Sequence, residues 1–133
     1  MTLTTPAYSV RARIDVLPPS VNHMYKSTHR GGKALTDEAL TFRWLVKEAL
    51  MGKPTPPAGE PLELSIWLTF PTGRRADADN RIKALQDACA LALDFDDVQI
   101  RALHVYAERG RLAETELLLE TRDPAAAREG RRV

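Results

Sequence analysis

The sequence predicts a two-layer α+β domain, a mixed sheet with helices packed on one face, in the order β-α-β-α-β-β. Three observations lead there. Residues 8–16 and 62–70 alternate apolar and polar side chains with the period of a half-buried strand. The stretches after Thr36 and after Asp79 switch to helical spacing. Residues 98–108 and 113–121 return to strand patterning around Arg109, Gly110 and Arg111. The 133 residues suit a single domain, 44% hydrophobic and 28% charged, close to a globular average. A chain of this size buries about two thirds of its unfolded surface, so it needs neither disulfide nor structural zinc.

Taken in order, Tyr8, Val10, Ala12, Ile14 and Val16 share one side of the first strand, which Pro18 and Pro19 end. Residues 21–34 are polar and cationic with Gly31 and Gly32, and read as a long loop or flexible hairpin. Thr36 is placed to cap the first helix, whose Phe42, Leu45, Val46 and Ala49 fall on one face before Gly52. The proline-rich stretch 53–61 is a connection within the domain. Leu62, Leu64, Ile66, Leu68 and Phe70 make the clearest strand. From Asp79 a helix carries Ile82, Leu85, Cys89 and Ala92 as its apolar stripe, and Asp94 to Asp97 form a turn. The last two strands, with glycine between them, read as a hairpin. The core runs from about residue 8 to residue 121, and the tail from 124 to 133 is expected to fray.

The start of the chain has no basic segment leading into a long apolar run, and no stretch is apolar enough to span a bilayer. A lone Cys89 suits a reducing compartment, and the expected location is the cytoplasm. Net charge is only +1, but it is unevenly spread. Between residues 20 and 47 stand Lys26, Arg30, Lys33, Arg43 and Lys47 against Asp37 and Glu38. Between residues 77 and 97 stand Asp77, Asp79, Asp87, Asp94, Asp96 and Asp97 against Arg81 and Lys83.

Asp77 and Asp79, bracketing Ala78 in extended backbone, would point the same way and offer two carboxylates to one hard cation. Asp79 is equally suited to be a helix cap. Lys83 lies one helical turn beyond Asp79, and it could form an ordinary ion pair with Asp79 or Asp87. Asp96 and Asp97 follow the helix, where a polar turn would also use them. Separated carboxylates with a lysine, around one strand-helix-turn unit, are nevertheless what metal-assisted phosphodiester hydrolysis needs. Oxygen-rich sites select Mg²⁺ or Mn²⁺, and lysine supplies a point charge for a phosphate.

At these residues the chain resembles a known family. Asp77-Ala78-Asp79-Asn80, Lys83 and Asp87, followed by Asp96-Asp97 and Gln99, resemble the D-x-D-N-x-x-K-x-x-x-D and D-D-x-Q signature of RusA-family Holliday junction resolvases. Leu17-Pro18-Pro19-Ser20-Val21-Asn22 resembles the family's L-P-P-S-x-N opening. The resemblance runs from about residue 8 to residue 121. It implies that Asp77, Asp79 and Asp97 are metal-binding catalytic acids and that Lys83 is the essential lysine. It also implies a Mg²⁺- or Mn²⁺-dependent homodimer that nicks opposed strands of a four-way DNA junction in recombination and repair. A glycine often ends the helix in this family, whereas here Leu93, Asp94 and Phe95 precede Asp96, so the third ligand lies among Asp94, Asp96 and Asp97.

A modest net charge means that any DNA-binding groove must be local. Lys26, Arg30, Lys33, Arg74 and Arg75 are expected to meet phosphates, with Asn22 and His23 beside them in the cationic stretch. Cys89 is expected in the core, His104 in a structural role, and Trp44 and Trp67 in the core or a dimer interface rather than stacked on bases. Two other readings stay open: a nuclease for flaps or forks, and a non-catalytic DNA-binding or interaction module whose acids are caps and turns.

Overall fold

Residues 62–71 form the centre of the molecule because their inward side chains are all aliphatic or aromatic and lie in the middle of a sheet. The computed structural model describes residues 7–122, so the expected frayed tail at 124–133 lies outside the described residues. The strands are β1 (Ser9–Ile14), β2 (Tyr25–Ser27), β3 (Lys33–Leu35), β4 (Leu62–Pro71), β5 (Ile100–Gly110) and β6 (Glu114–Thr121). The helices are α1 (Asp37–Ala49) and α2 (Ile82–Leu93), with short 3₁₀ turns at Val21–His23, Ala78–Arg81 and Asp97–Gln99. Leu62, Leu64, Ile66, Leu68 and Phe70 of β4 are at most 1% exposed. They share one core with Phe42 and Val46 of α1, Leu85 and Cys89 of α2, and Leu117 and Leu119 of β6.

The main sheet has the order β1-β6-β4-β5, with β4 and β5 parallel and the other pairs antiparallel. Parallel neighbours require a crossover, and α2 supplies it between β4 and β5. This arrangement corrects the expected hairpin between the last two strands. β5 and β6 flank β4 instead of pairing, and residues 111–113 carry the chain across the end of β4. Gly110 makes that passage possible, since a Cβ there would stand 2.6 Å from Thr69 Cγ2. Local turn signals marked the break correctly, but strand partnership followed the sheet order β1-β6-β4-β5, which places β4 between β5 and β6.

Thr36 caps α1 as expected, its Oγ1 accepting the Ala39 N–H at 3.2 Å, and Asp37 and Glu38 occupy the electropositive first turn. Of the two alternatives for the polar stretch before it, long loop or hairpin, the structure has the hairpin. β2 and β3 pair from Tyr25↔Leu35 to Ser27↔Lys33, and Gly31 takes the positive φ that the tip requires. α2 begins later than expected, at Ile82, because the 3₁₀ turn at Ala78–Arg81 precedes it. Asp94 ends α2 in the left-handed conformation at φ 55°, the position a glycine usually fills, and this accounts for the missing glycine.

Cys89 is buried in the core as expected, and burial pushes its thiol up to about 12. Neither tryptophan lies in the core. Trp44 is 57% exposed on α1, and Trp67 stacks on Tyr106 across the open sheet face, 5.7 Å between rings. His104 hydrogen-bonds Glu63 on that same face. Among the described residues no helix is long and apolar enough to cross a membrane.

Candidate active site

The acidic segment begins where β4 has run out and the chain turns into α2. Asp77 has φ −90° and ψ 61°, and Asp79 already lies inside the 3₁₀ turn. The extended D-x-D that would aim both carboxylates the same way is therefore absent, and neither acid caps α2, whose N-cap position is Arg81. The two aspartates part company. Asp77 is largely enclosed and accepts a hydrogen bond from Arg81 Nε at 2.9 Å. Asp79 is exposed and makes no ion pair among the described residues. Burial pushes the Asp77 carboxyl up, but the Arg81 hydrogen bond, its own backbone amide and the charges of Arg81 and Arg75 outweigh it. The net result is a carboxyl held below the usual range.

One turn further, Lys83 Nζ stands 3.1 Å from Asp87 Oδ2. The hydrogen bond and charge of Asp87 hold the ammonium protonated above its usual range, against a little desolvation, and the charge of Asp97 adds a smaller share. The ion pair of Lys83 among the described residues is thus with an acid of its own helix. The three candidate third acids separate by role. Asp94 is the helix end, and Asp96 accepts the Val98 N–H at 3.1 Å as a turn cap. The side chains of Asp94 and Asp97 are both exposed and make no hydrogen bond or ion pair among the described residues. Asp87, Asp96 and Asp97 line an open groove of about 320 Å³ along the far half of α2. A slightly larger groove, about 360 Å³, lies between α1 and the end of β1 and contains none of these acids.

Asp77, Asp79, Asp87 and Asp97 offer only oxygen donors, the chemistry that Mg²⁺ or Mn²⁺ prefers. Their arrangement does not match a metal cage. Among the described residues no three His, Cys, Asp or Glu side chains converge closely enough to hold an ion. Asp77 is turned to Arg81 and Asp87 to Lys83, so internal cations occupy two of the four. Carboxylates gathered without a cation would repel one another, and pairing each with a nearby base relieves that repulsion.

Asn22, His23, Lys26, Arg30, Lys33, Arg74 and Arg75 are all exposed. Lys26 and Lys33 stand on the β2–β3 hairpin and Arg30 at its tip. His23 is oriented through Nδ1 by Ser20 Oγ at 2.9 Å. Arg109 ties down the segment after β4 by donating to the Pro71 and Arg74 carbonyls, leaving the side chains of Arg74 and Arg75 outside. Arg81, the partner of Asp77, was not singled out from the sequence, whereas Asp87, the partner of Lys83, stood in the family signature. The signal for both was the i,i+4 spacing of Asp77 with Arg81 and of Lys83 with Asp87, which also describes a plain surface ion pair.

No curated protein matches the chain. The family model described as endodeoxyribonuclease RusA matches residues 15–120, which include the opening Leu17–Asn22 segment, the whole acidic stretch and Lys83. The match takes in well over half of the 133 residues, and the chain belongs to the RusA endodeoxyribonuclease family.

Proposed function

We propose that this protein is a divalent-metal-dependent endonuclease that resolves four-way DNA junctions by paired nicks, working as a homodimer in cytoplasmic DNA recombination and repair. The observation that carries the reading is the Lys83–Asp87 pair, 3.1 Å apart, one turn beyond the exposed Asp79, within a chain of this family. A lysine kept firmly protonated is suited to receive a phosphate oxygen, and its charge is worth most where negative charge develops during cleavage. Lys26, Arg30, Lys33, Arg74 and Arg75 are assigned to the phosphates of the duplex arms, which they bring to that lysine. Asn22 and His23 lie at the base of the hairpin and join them.

Asp77, Asp79 and Asp97 are the residues proposed to hold Mg²⁺ or Mn²⁺, which when bound would activate water and neutralise charge on the phosphate. Bringing those acids together costs electrostatic repulsion, which the cation offsets. Two opposed nicks need two sites, and a C2 pair of chains supplies them.

The spread of the acids favours one competing reading, a non-catalytic DNA-binding module in which they serve only as caps and ion pairs. Single-turnover cleavage of a junction by Asp79→Asn, Asp97→Asn and Lys83→Ala, with melting on the same preparations, separates the two. The nuclease reading expects folded proteins whose cleavage collapses, with Lys83→Ala losing about 2–4 kcal/mol of transition-state stabilisation. Junction binding with no cleavage by the wild-type protein would leave the binding module, and wild-type rates in all three variants would overturn the assignment of these residues.

A further inference from the structure

β5 closes the sheet order β1-β6-β4-β5, so β4 lies along one of its edges and no strand of the described residues along the other. It is 11 residues long, contains no proline, and its one irregularity of register against β4 lies at its start. Half of its N–H and C=O groups turn away from β4, and among the described residues 101–110 find no backbone partner outside that strand. The strand is open on both faces as well. On the helix side Leu103 and Ala107 are exposed, and only Val105 between them packs against the core. On the other side Tyr106 is 48% exposed and carries the Trp67 stack to the rim of the sheet. Folded proteins usually close such an edge with proline, a bulge or a covering element, because a long open edge recruits another strand.

We infer that the free edge of β5 pairs antiparallel with β5 of a second copy, about a two-fold axis at Tyr106, joining two four-stranded sheets into one. The inference rests on the homodimer of the proposed function and names its surface. Side chains directly opposite in an antiparallel pair share a face, so the axis decides which residues meet. With the axis at Tyr106, the Trp67–Tyr106 stack of one copy meets Tyr106 of the partner subunit. His104 then stands opposite Glu108 of the partner subunit, an imidazole facing a carboxylate, and the two-fold repeats the pair. On the helix side Val105 meets Ala107 of the partner subunit. An axis at Val105 would instead set Arg101 against Arg109 of the partner subunit, two like charges. The strand is thus complementary to itself in charge and in apolar surface, which singles out a second copy as its occupant. The axis of such a pair is perpendicular to the sheet, so both helix layers lie on one side of it. A single junction on that side can reach Lys83 of each copy.

The test is sedimentation equilibrium of the full chain, with melting on the same preparations, joined to cysteine cross-linking. The wild type is expected to be dimeric at micromolar concentration. Tyr106→Glu sets two carboxylates against each other across the axis, and Leu103→Lys sets an ammonium opposite Arg109 of the partner subunit. Each is expected to raise the dimer dissociation constant about tenfold or more. Tyr106→Cys is expected to give disulfide-linked dimers under mild oxidation, since opposed Cα atoms in an antiparallel pair stand about 4.5–5.5 Å apart, within disulfide reach. Trp44→Cys, exposed on α1, is expected to give none, and the buried Cys89 takes no part. Dimers that neither charged variant weakens, or that Trp44→Cys links and Tyr106→Cys does not, would overturn the inference and leave the homodimer reading standing. A monomeric wild type, the outcome if the edge serves the strand of another protein, would overturn both. If Tyr106→Glu does not melt cooperatively, Leu103→Lys decides in its place, since that side chain is already 39% exposed.

Discussion

The inner face of β4 and the acidic rim beyond its end are built on opposite rules. On β4, Leu62, Leu64, Ile66, Leu68 and Phe70 are sealed by two helices and matter through shape and area. At the rim, each charged group matters through its partner: Asp77 has Arg81, Lys83 has Asp87, and Asp79 and Asp97 have none among the described residues. The core side chains are closed to solvent, whereas Asp79, Asp97 and the cations Lys26, Arg30, Lys33, Arg74 and Arg75 are exposed. Stability rests chiefly on the first set and the proposed activity on the second, with Asp77 contributing to both. Substitutions should therefore separate them.

The largest stability effect is expected in the core. Ile66→Ala, at a fully buried position of β4, should cost about 2–5 kcal/mol in denaturant unfolding through lost transfer energy and the cavity left behind. The cleavage rate of the folded fraction should stay near wild type. A rate loss exceeding the loss of folded protein would mean that core and rim are not separable.

Within the rim, the two neighbouring aspartates sharpen the contrast. Asp77→Asn removes the charged acceptor of an enclosed arginine and should cost about 1–3 kcal/mol. Asp79→Asn, on an exposed and unpaired side chain, should stay within about 0.5 kcal/mol. The gap has a defined pH dependence. Because the Asp77 carboxyl titrates below its ordinary value in the folded chain, its contribution is present above the ordinary carboxylate pKa. It is lost as pH falls through the folded value, so the two variants should converge in acid. Equal stabilities at neutral pH would show that the Arg81 pair does not hold the turn.

The smallest stability effects belong to the cations. Replacing Lys26, Arg30 or Lys33 by Ala should change unfolding free energy by no more than about 0.5 kcal/mol, since all three are exposed. Wherever the replaced cation neutralises a phosphate in the complex, the magnitude of the log K against log salt slope should fall by about 0.9. Unchanged slopes in all three variants would move the DNA groove away from the hairpin.

Much of this fold was legible because its elements announce themselves locally. The strict alternation of Leu62 to Phe70 could only be a strand, and Thr36 with Asp37 and Glu38 marked the start of α1 within a residue. Strand partnership was not legible. Glycine at 110 reads as a hairpin turn, yet it serves a close passage over Thr69, and only the sheet order distinguishes the two. The site was legible as a set of residue types around Asp77, Asp79, Lys83 and Asp97. Its pairing was not, because an aspartate and an arginine four apart look alike on a solvated helix and in an enclosed turn. The Pro18 carbonyl that anchors Arg81 lies 63 residues away in the chain, beyond the reach of any local pattern.

The most direct test of the proposed function is incubation of the wild-type protein with a synthetic four-way junction and with a linear duplex of the same sequence, each in Mg²⁺, Mn²⁺ or EDTA. The expected result is paired nicks in opposed strands of the junction with either metal, no cleavage of the duplex, and no cleavage in EDTA. Preference for flap or fork substrates run alongside would redirect the substrate, and full nicking in EDTA or an intact junction in both metals would contradict metal-dependent junction resolution.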